Sequence, residues 1–316
     1  MPEPHRPGQR HFVADLGETP LSEVDKLDES TPPLSLWADA WRHLRRQPIF
    51  IVSALLILLV LALAIAPGLF ARTDPLSCHL QDGLEPSRAG HPFGFDRQGC
   101  DVYARVVYGT RTSVAVGFFT TAIVVFLGAA IGAIAGFYGR FWDALLSRVT
   151  DIFFAIPLVL AAIVVMQVFR DRVTIWAVIA VLSVFGWPQI ARITRGAVMA
   201  VKNSDYVTAA KALGTTKFRT LLRHVLPNAA APVIVTATVS LGIFIVAEAT
   251  LSFLGIGLNA SRIVSWGADI NYASATIRTN PSVLFYPAAA LALTVLSFIM
   301  LGDAVRDALD PKARQQ

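Results

Sequence analysis

The chain has 316 residues, of which 54% are hydrophobic and 16% charged, where a soluble domain carries roughly 45–50% apolar and about a quarter charged residues. Six stretches without Asp, Glu, Lys or Arg take up 134 residues, and the remainder is divided among seven flanks and loops, none large enough for an enzyme domain with its own core. A soluble enzyme is excluded, and the net charge of +5 reflects where basic residues fall around a membrane rather than an affinity for nucleic acid.

In chain order, residues 1–33 are rich in Pro, Glu, Asp and Ser with no helical apolar period, which predicts a disordered tail. Over 34–47, Leu34, Trp37, Trp41 and Leu44 recur at three- and four-residue steps while Arg42, Arg45 and Arg46 take the remaining surface. That pattern predicts an amphipathic helix lying in the membrane interface. The apolar stretches follow at 48–70, 112–138, 152–169, 173–191, 225–247 and 279–302, each close to the ~20 residues that cross a hydrocarbon core. The first lies too far along the chain for a secretory signal and has no small-residue cleavage site, so it reads as a retained helix. With both termini in the cytoplasm, 18 of the 27 Lys and Arg fall on inner segments, the bias that sets orientation. The expected fold is all-α and polytopic. A six-helix transmembrane domain covers 48–302, with an outer loop at 71–111 and a cytoplasmic loop at 192–224, and a cytoplasmic tail follows at 303–316.

Within the spans, Gly128, Gly132 and Gly136 stand four residues apart, a face that lets two helices approach backbone to backbone. Arg148 and Asp151, three apart, are placed for a structural ion pair at the inner end of the third span. Pro157 predicts a kink beyond them. Glu248 is an acidic residue at the end of an apolar span. Such a group suggests a pathway, a gate or a buried partner, and a structural hydrogen-bonding role shared with Thr250 and Ser252 accounts for it equally well.

Motifs for chemistry are absent. No phosphate-binding loop, dinucleotide fingerprint or metalloprotease motif is present, so no catalytic residue and no cofactor is expected, and any energy source is another polypeptide. Cys78 and Cys100 both fall in the outer loop, where a disulfide is the natural reading. A metal site with His79 and His91 lacks the usual ligand spacing, and unpaired thiols are the remaining alternative. The loop at 192–224 holds seven Lys or Arg and two helical patterns. Asn203, Ser204 and Asp205 offer N-caps, Tyr206, Ala209, Ala210 and Leu213 share a face, and Gly214 ends the helix. Such a helix on a basic loop suits docking of a soluble partner, and equally a surface lying on lipid.

The run Tyr206-Val207-Thr208-Ala209-Ala210-Lys211-Ala212-Leu213-Gly214, with Leu226-Pro227 beyond it, resembles the E-A-A-x-x-x-G…L-P loop of ABC importer permeases. His91-Pro92-Phe93-Gly94 with Asp96, Gly99, Asp101, Arg105, Tyr108, Gly109 and Arg111 is similar to the segment before the second span in the dipeptide, oligopeptide and nickel group. So are Arg148, Asp151 and Pro157, the run from Glu248 to Gly255 with Trp266-Gly267, and the C-terminal Leu301-Gly302-Asp303 with Arg306-Asp307 and Leu309-Asp310-Pro311. Thr208 stands where that family usually has Glu, and Cys100 where Arg is common. The resemblance covers residues 36–312 and implies the second permease of a pair, in a bacterial cytoplasmic membrane. Its implied partners are a homologous permease, two ATPases and an extracytoplasmic binding protein. Asp205, Tyr206, Thr208, Ala209, Ala210, Leu213 and Gly214 would then form the coupling helix that meets an ATPase, and peptides, nickel or another small solute would be carried. A self-sufficient carrier or channel is the competing expectation, with Asp151 and Glu248 as its only candidate ion sites. A receptor that binds without translocating is a third.

Overall fold

The computed structural model describes residues 41–168 and 173–309. The tail at 1–33 and the first half of the helix expected at 34–47 lie outside the described residues, and residues 41–44 are helical. The elements are α1 (Pro48–Ile65), α2 (Pro67–Phe70), α3 (Val102–Tyr138), α4 (Arg140–Ala155), α5 (Leu158–Val168), α6 (Ile175–Gly186), α7 (Pro188–Val201), α8 (Asp205–Ala212), α9 (Lys217–Thr220), α10 (Leu226–Phe253), α11 (Trp266–Ser274) and α12 (Ser282–Leu309). Among the described residues four helical stretches are long and apolar enough to cross a membrane, or six if the bent pairs α4/α5 and α6/α7 each count as one span.

Helix α3 sets the scale of the molecule. Its 37 residues rise about 1.5 Å each, or roughly 55 Å, more than a hydrocarbon core needs. It begins ten residues before the apolar stretch at 112, inside the expected outer loop, because the two arginines in that extension are satisfied by protein. Arg105 meets Asp269, and Arg111 donates to the carbonyls of Ala64 and Ile65 at the end of α1. The side chain of Asp101 caps the helix by accepting from Tyr103 N. At the far end of α3 the glycine stripe meets α7. A Cβ on Gly128 would stand 2.7 Å from Ile190, on Gly132 2.3 Å from the Ala191 carbonyl, and on Gly136 2.8 Å from the Arg195 carbonyl. The two helices therefore touch through backbone, as small residues allow in membranes.

The two bent spans differ in cause and degree. Ile156 precedes Pro157 and is driven to φ −88°, ψ 117°, the extended region that a following proline favours, and α4 and α5 diverge by 78°. This is a break where the sequence predicts only a kink. Trp187 precedes Pro188 yet keeps a helical φ −70°, ψ −23°, so α6 and α7 bend by only 44°. A core of Val116, Val124, Ile179, Leu182, Ile190, Phe244 and Leu251 fills the space between α3, α6, α7 and α10.

The last span does not end at Gly302. Helix α12 runs on to Leu309 because Ala304 and Ala308 pack against Leu44, so the expected tail at 303–316 begins as helix. Residues 44 and 309 thus share one end of the bundle with α8, while the start of α12 lies at the opposite end, where Tyr286 stacks on Phe93.

Candidate functional site: the protruding helix and the opposite cluster

Helix α8 is built by local rules. Ser204, at φ −64° and ψ 152°, makes no side-chain cap, and its carbonyl accepts from Val207 N and Thr208 N. The C-terminus closes on Gly214 at φ +83°. Gly214 N donates to the Lys211 carbonyl and Thr215 N to the Ala210 carbonyl, the paired closure for which a left-handed glycine is wanted. Thr216 then caps α9 by accepting from Arg219 N, and five residues of wider π-type turn, Leu221–Val225, carry the chain into α10.

Two faces result. Val207 is buried with Ala133, Val198, Leu221, Val225 and Ala229, and Ala210 is only 8% exposed. Ala210 therefore belongs to the inner face, a correction to its expected place beside Ala209 on the docking side. Asp205, Tyr206, Thr208, Ala209 and Leu213 face outward, Leu213 being 87% exposed, and Phe218 of α9 adds a second large apolar group. The base is fastened as well. Lys202 Nζ donates to the Gly136 carbonyl at 2.7 Å, and Lys211 Nζ to the Lys202 carbonyl at 3.2 Å. These contacts tie the α8 segment to α3 and α7.

Arg148 and Asp151 do approach, but at 3.9 Å and with Arg148 85% exposed. The nearer partner of Asp151 is Arg192 of α7, at 2.8 Å, with its guanidinium 3.8 Å above the Phe154 ring. Arg195 makes two bonds to Asp143, at 2.5 and 2.8 Å. Two cation–carboxylate links thus tie α4 to α7, and the sequence hides both because the partners are 41 and 52 residues apart.

At the other end Cys78 and Cys100 are joined as a disulfide. Beneath it Arg105 gathers four segments. It donates to the Asp269 carboxylate at 2.9 and 2.5 Å, to the Pro75 carbonyl at 3.2 Å and to the Ala260 carbonyl at 3.1 Å, with Asp96 at 4.0 Å. Burial pushes the Asp269 carboxyl up to about 6, with the opposing charge and hydrogen bonds of Arg105 returning only part of the cost. His91 Nδ1 lies 2.9 Å from Asp101. Among the described residues no group of three or more His, Cys, Asp or Glu is placed to hold a metal ion.

Glu248 is 0% exposed, so in this chain it faces neither solvent nor an open path. It accepts from Ser113 and Ser252, while Thr250, its other expected helper, turns instead to the Val246 carbonyl. Ser113 on α3 is the partner that sequence spacing misses, 135 residues away.

Among solved structures, a chain of the MetNI methionine ABC transporter in an inward facing conformation superposes with a TM-score of 0.55 at 20% identity, covering 65% of this chain and 96% of that one. A chain of an amino acid ABC transporter with histidines gives 0.51 at 16%, covering 64% and 92%. The fold is that of an ABC-transporter permease. Residues 128–315 match the family described as binding-protein-dependent transport system inner membrane component, and residues 35–86 the N-terminal TM domain of oligopeptide transport permease C. The oligopeptide transport system permease protein OppC of Bacillus subtilis (strain 168) is 35% identical over 293 residues, 93% of this chain and 94% of that one. The glutathione transport system permease protein GsiD of Escherichia coli O157:H7 is 36% identical over 307 residues, covering 95% and 97%. The dipeptide transport system permease protein DppC of Alkalihalophilus pseudofirmus is 33% identical over 296 residues, covering 94% and 96%. The chain therefore belongs to the family of inner-membrane components of binding-protein-dependent transport systems, and is a multi-pass membrane permease.

Proposed function

We propose that this permease is the second, C-type member of a pair that together form the path for di- and oligopeptides, driven by two separate ATPase subunits and fed by an extracytoplasmic binding protein. Its own contribution is mechanical, since ATP is hydrolysed by the partners. The α8 end is cytoplasmic, in line with the excess of basic residues there. The single observation that carries the reading is the form of α8. It presents Tyr206, Thr208, Ala209 and Leu213 outward while its inner face and Lys202 are fixed to α3 and α7. A helix that presents Tyr206 and Leu213 outward among small and polar groups, and is anchored inward, suits a groove in a partner and transmits the partner's closure to the spans. The peptide class is supported by the relatives, whose names cite oligopeptides, dipeptides and glutathione, all of them short chains with peptide bonds.

The test is uptake into proteoliposomes by the chain co-purified with its partner subunits, using labelled dipeptides, longer peptides and nickel chelates. ATP-dependent accumulation of a peptide is the expected result. Accumulation driven by an ion gradient without ATP would overturn the reading in favour of a self-sufficient carrier.

A further inference from the structure

We infer that Glu248 is a positioning residue: directly through Ser265 and indirectly through Ser113 and Ser252 it fixes both ends of the segment between α10 and α11, which walls a cavity of about 510 Å³ at the disulfide end. The inference rests on the proposed import function only in calling that cavity the place where solute enters.

The chain of bonds is specific about direction. Ser113 Oγ on α3 donates to Glu248 Oε2 at 3.1 Å, and Ser252 Oγ, one turn along α10, donates to Oε1 at 2.8 Å. A serine hydroxyl has one proton and two lone pairs. With its proton committed to the carboxyl group, each oxygen is left as an acceptor, and each takes a backbone N–H of the segment. Ser252 Oγ accepts from Leu258 N at 3.0 Å, and Ser113 Oγ accepts from Trp266 N at 3.3 Å. Leu258 and Trp266 are both buried, and they mark the two points where the segment leaves and rejoins the bundle. Without the carboxyl group either hydroxyl is free to donate to a carbonyl of its own helix, the usual alternative for serine.

The backbone lies close enough for this control to matter. A Cβ on Gly257 would stand 2.6 Å from Ser252 N, and one on Gly267 2.4 Å from Ala249 Cα, so the segment is pressed against α10 on either side of Glu248. Between the anchors the Ala260 carbonyl also accepts from Arg105 at 3.1 Å, a contact common to every variant compared below. Asn259 and Arg262 are exposed and line the cavity with Gln167, Asn271 and Tyr272. Glu248 touches none of that space, being wholly buried. A carboxyl group buried in a span is costly, and here it does what an apolar residue of the same size cannot, which is to orient two hydroxyls at once.

The experiment uses the full chain with its co-expressed partner subunits in nanodiscs, a spin label on Ser261→Cys, and the native cysteines held in their disulfide. Glu248→Leu is expected to free the label, with segment opening increased roughly threefold to tenfold for each anchor lost. Ser113→Ala combined with Ser252→Ala and Ser265→Ala should do the same, and adding Glu248→Leu to that set should add nothing, because all four act in one set of bonds. Glu248→Gln, which keeps one acceptor oxygen, should fall between. A residue that served only overall stability would shift the unfolding temperature while its effect on the label added to those of the serines. Additivity, or a label as fixed in Glu248→Leu as in the unsubstituted protein, overturns the proposal. If Glu248→Leu does not assemble, the Gln and serine variants decide by the same criterion. Label mobility is read without transport, so failure of peptide uptake would sink the import reading and leave this result standing.

Discussion

Lys202 Nζ and the Gly136 carbonyl are 2.7 Å apart, which ties the residue leading into α8 to the last turn of α3. The carbonyls of a helix's last turn have no partner in the helix, and a lysine is the favoured group there for its charge as well as its hydrogen bond. Lys202→Met should leave insertion and assembly intact while weakening the link between ATP hydrolysis and uptake. Peptide carried per ATP consumed is the quantity to measure, and an unchanged ratio would show that the link is dispensable.

The contact of α3 with α7 should be the least tolerant place in the fold. A Cβ on Gly132 would meet the Ala191 carbonyl at 2.3 Å, and backbone has nowhere to yield. Gly132→Val is expected to destabilise by about 1–3 kcal/mol, as overpacking does, seen as a lowered unfolding temperature in detergent. Gly196→Ala, in open space on α7, serves as the control and should be neutral.

The cluster around Arg105 has a predictable pH response. The Asp269 carboxyl takes up its proton near pH 6 in the fold and near 3.8 in the unfolded chain. Since the folded value is the higher, this group favours the fold most fully below about 3.8, and that contribution is lost as pH rises through 6. The stability of the unsubstituted protein relative to Asp269→Asn should therefore increase as pH falls from 7.5 to 4, by up to about 3 kcal/mol. Parallel curves for the two proteins across that range would contradict the assignment.

Removing the disulfide should loosen the same end without unfolding the spans. Cys78 and Cys100 close a loop with a sequence separation of 22, for which a cross-link contributes about 2–4 kcal/mol. Peptide mass spectrometry under non-reducing conditions should recover the joined pair from native membranes. Paired Cys78→Ser and Cys100→Ser substitution should expose the segment from 71 to 101 to protease while residues beyond 102 stay protected.

Much of this is legible in the sequence, for physical reasons that can be named. Apolar runs announce spans because a bilayer demands length and hydrophobicity, and the glycine stripe announces a contact because only missing side chains allow that approach. Gly214 announces the end of α8 because a left-handed residue is needed there. What stayed hidden depends on partners distant in the chain. Asp151 keeps Arg148 at 3.9 Å but has its nearer partner in Arg192 at 2.8 Å, and Ser113 carries no local sign that it meets Glu248. The sequence also places Ala209 and Ala210 on one side of α8, whereas the burial of Val207 turns Ala210 inward. Adjacent residues on a helix stand about 100° apart, and which of them faces out is decided by what the helix packs on.

That rotation of α8 sharpens the prediction for coupling. Ala209→Trp, on the outward face, should hold an ATPase subunit away while leaving the membrane subunit folded. Ala210→Trp, aimed into the inner face, should instead disturb folding, so the two adjacent substitutions are expected to fail for different reasons. Gly214→Val would strain a residue at φ +83° by about 1–2 kcal/mol and disturb the closure on Ala210 and Lys211. Thr208→Glu should be tolerated, since Thr208 is exposed and an added carboxylate there meets only solvent or the partner's groove. Each variant is to be compared for co-purification of the ATPase, for peptide-stimulated ATP hydrolysis and for unfolding temperature. The expected pattern is loss of ATPase binding with normal stability for Ala209→Trp, and lowered stability for Ala210→Trp. Retention of the ATPase and of stimulated hydrolysis by a stably inserted Ala209→Trp protein would mean that docking occurs elsewhere and that α8 is only a surface resting on lipid.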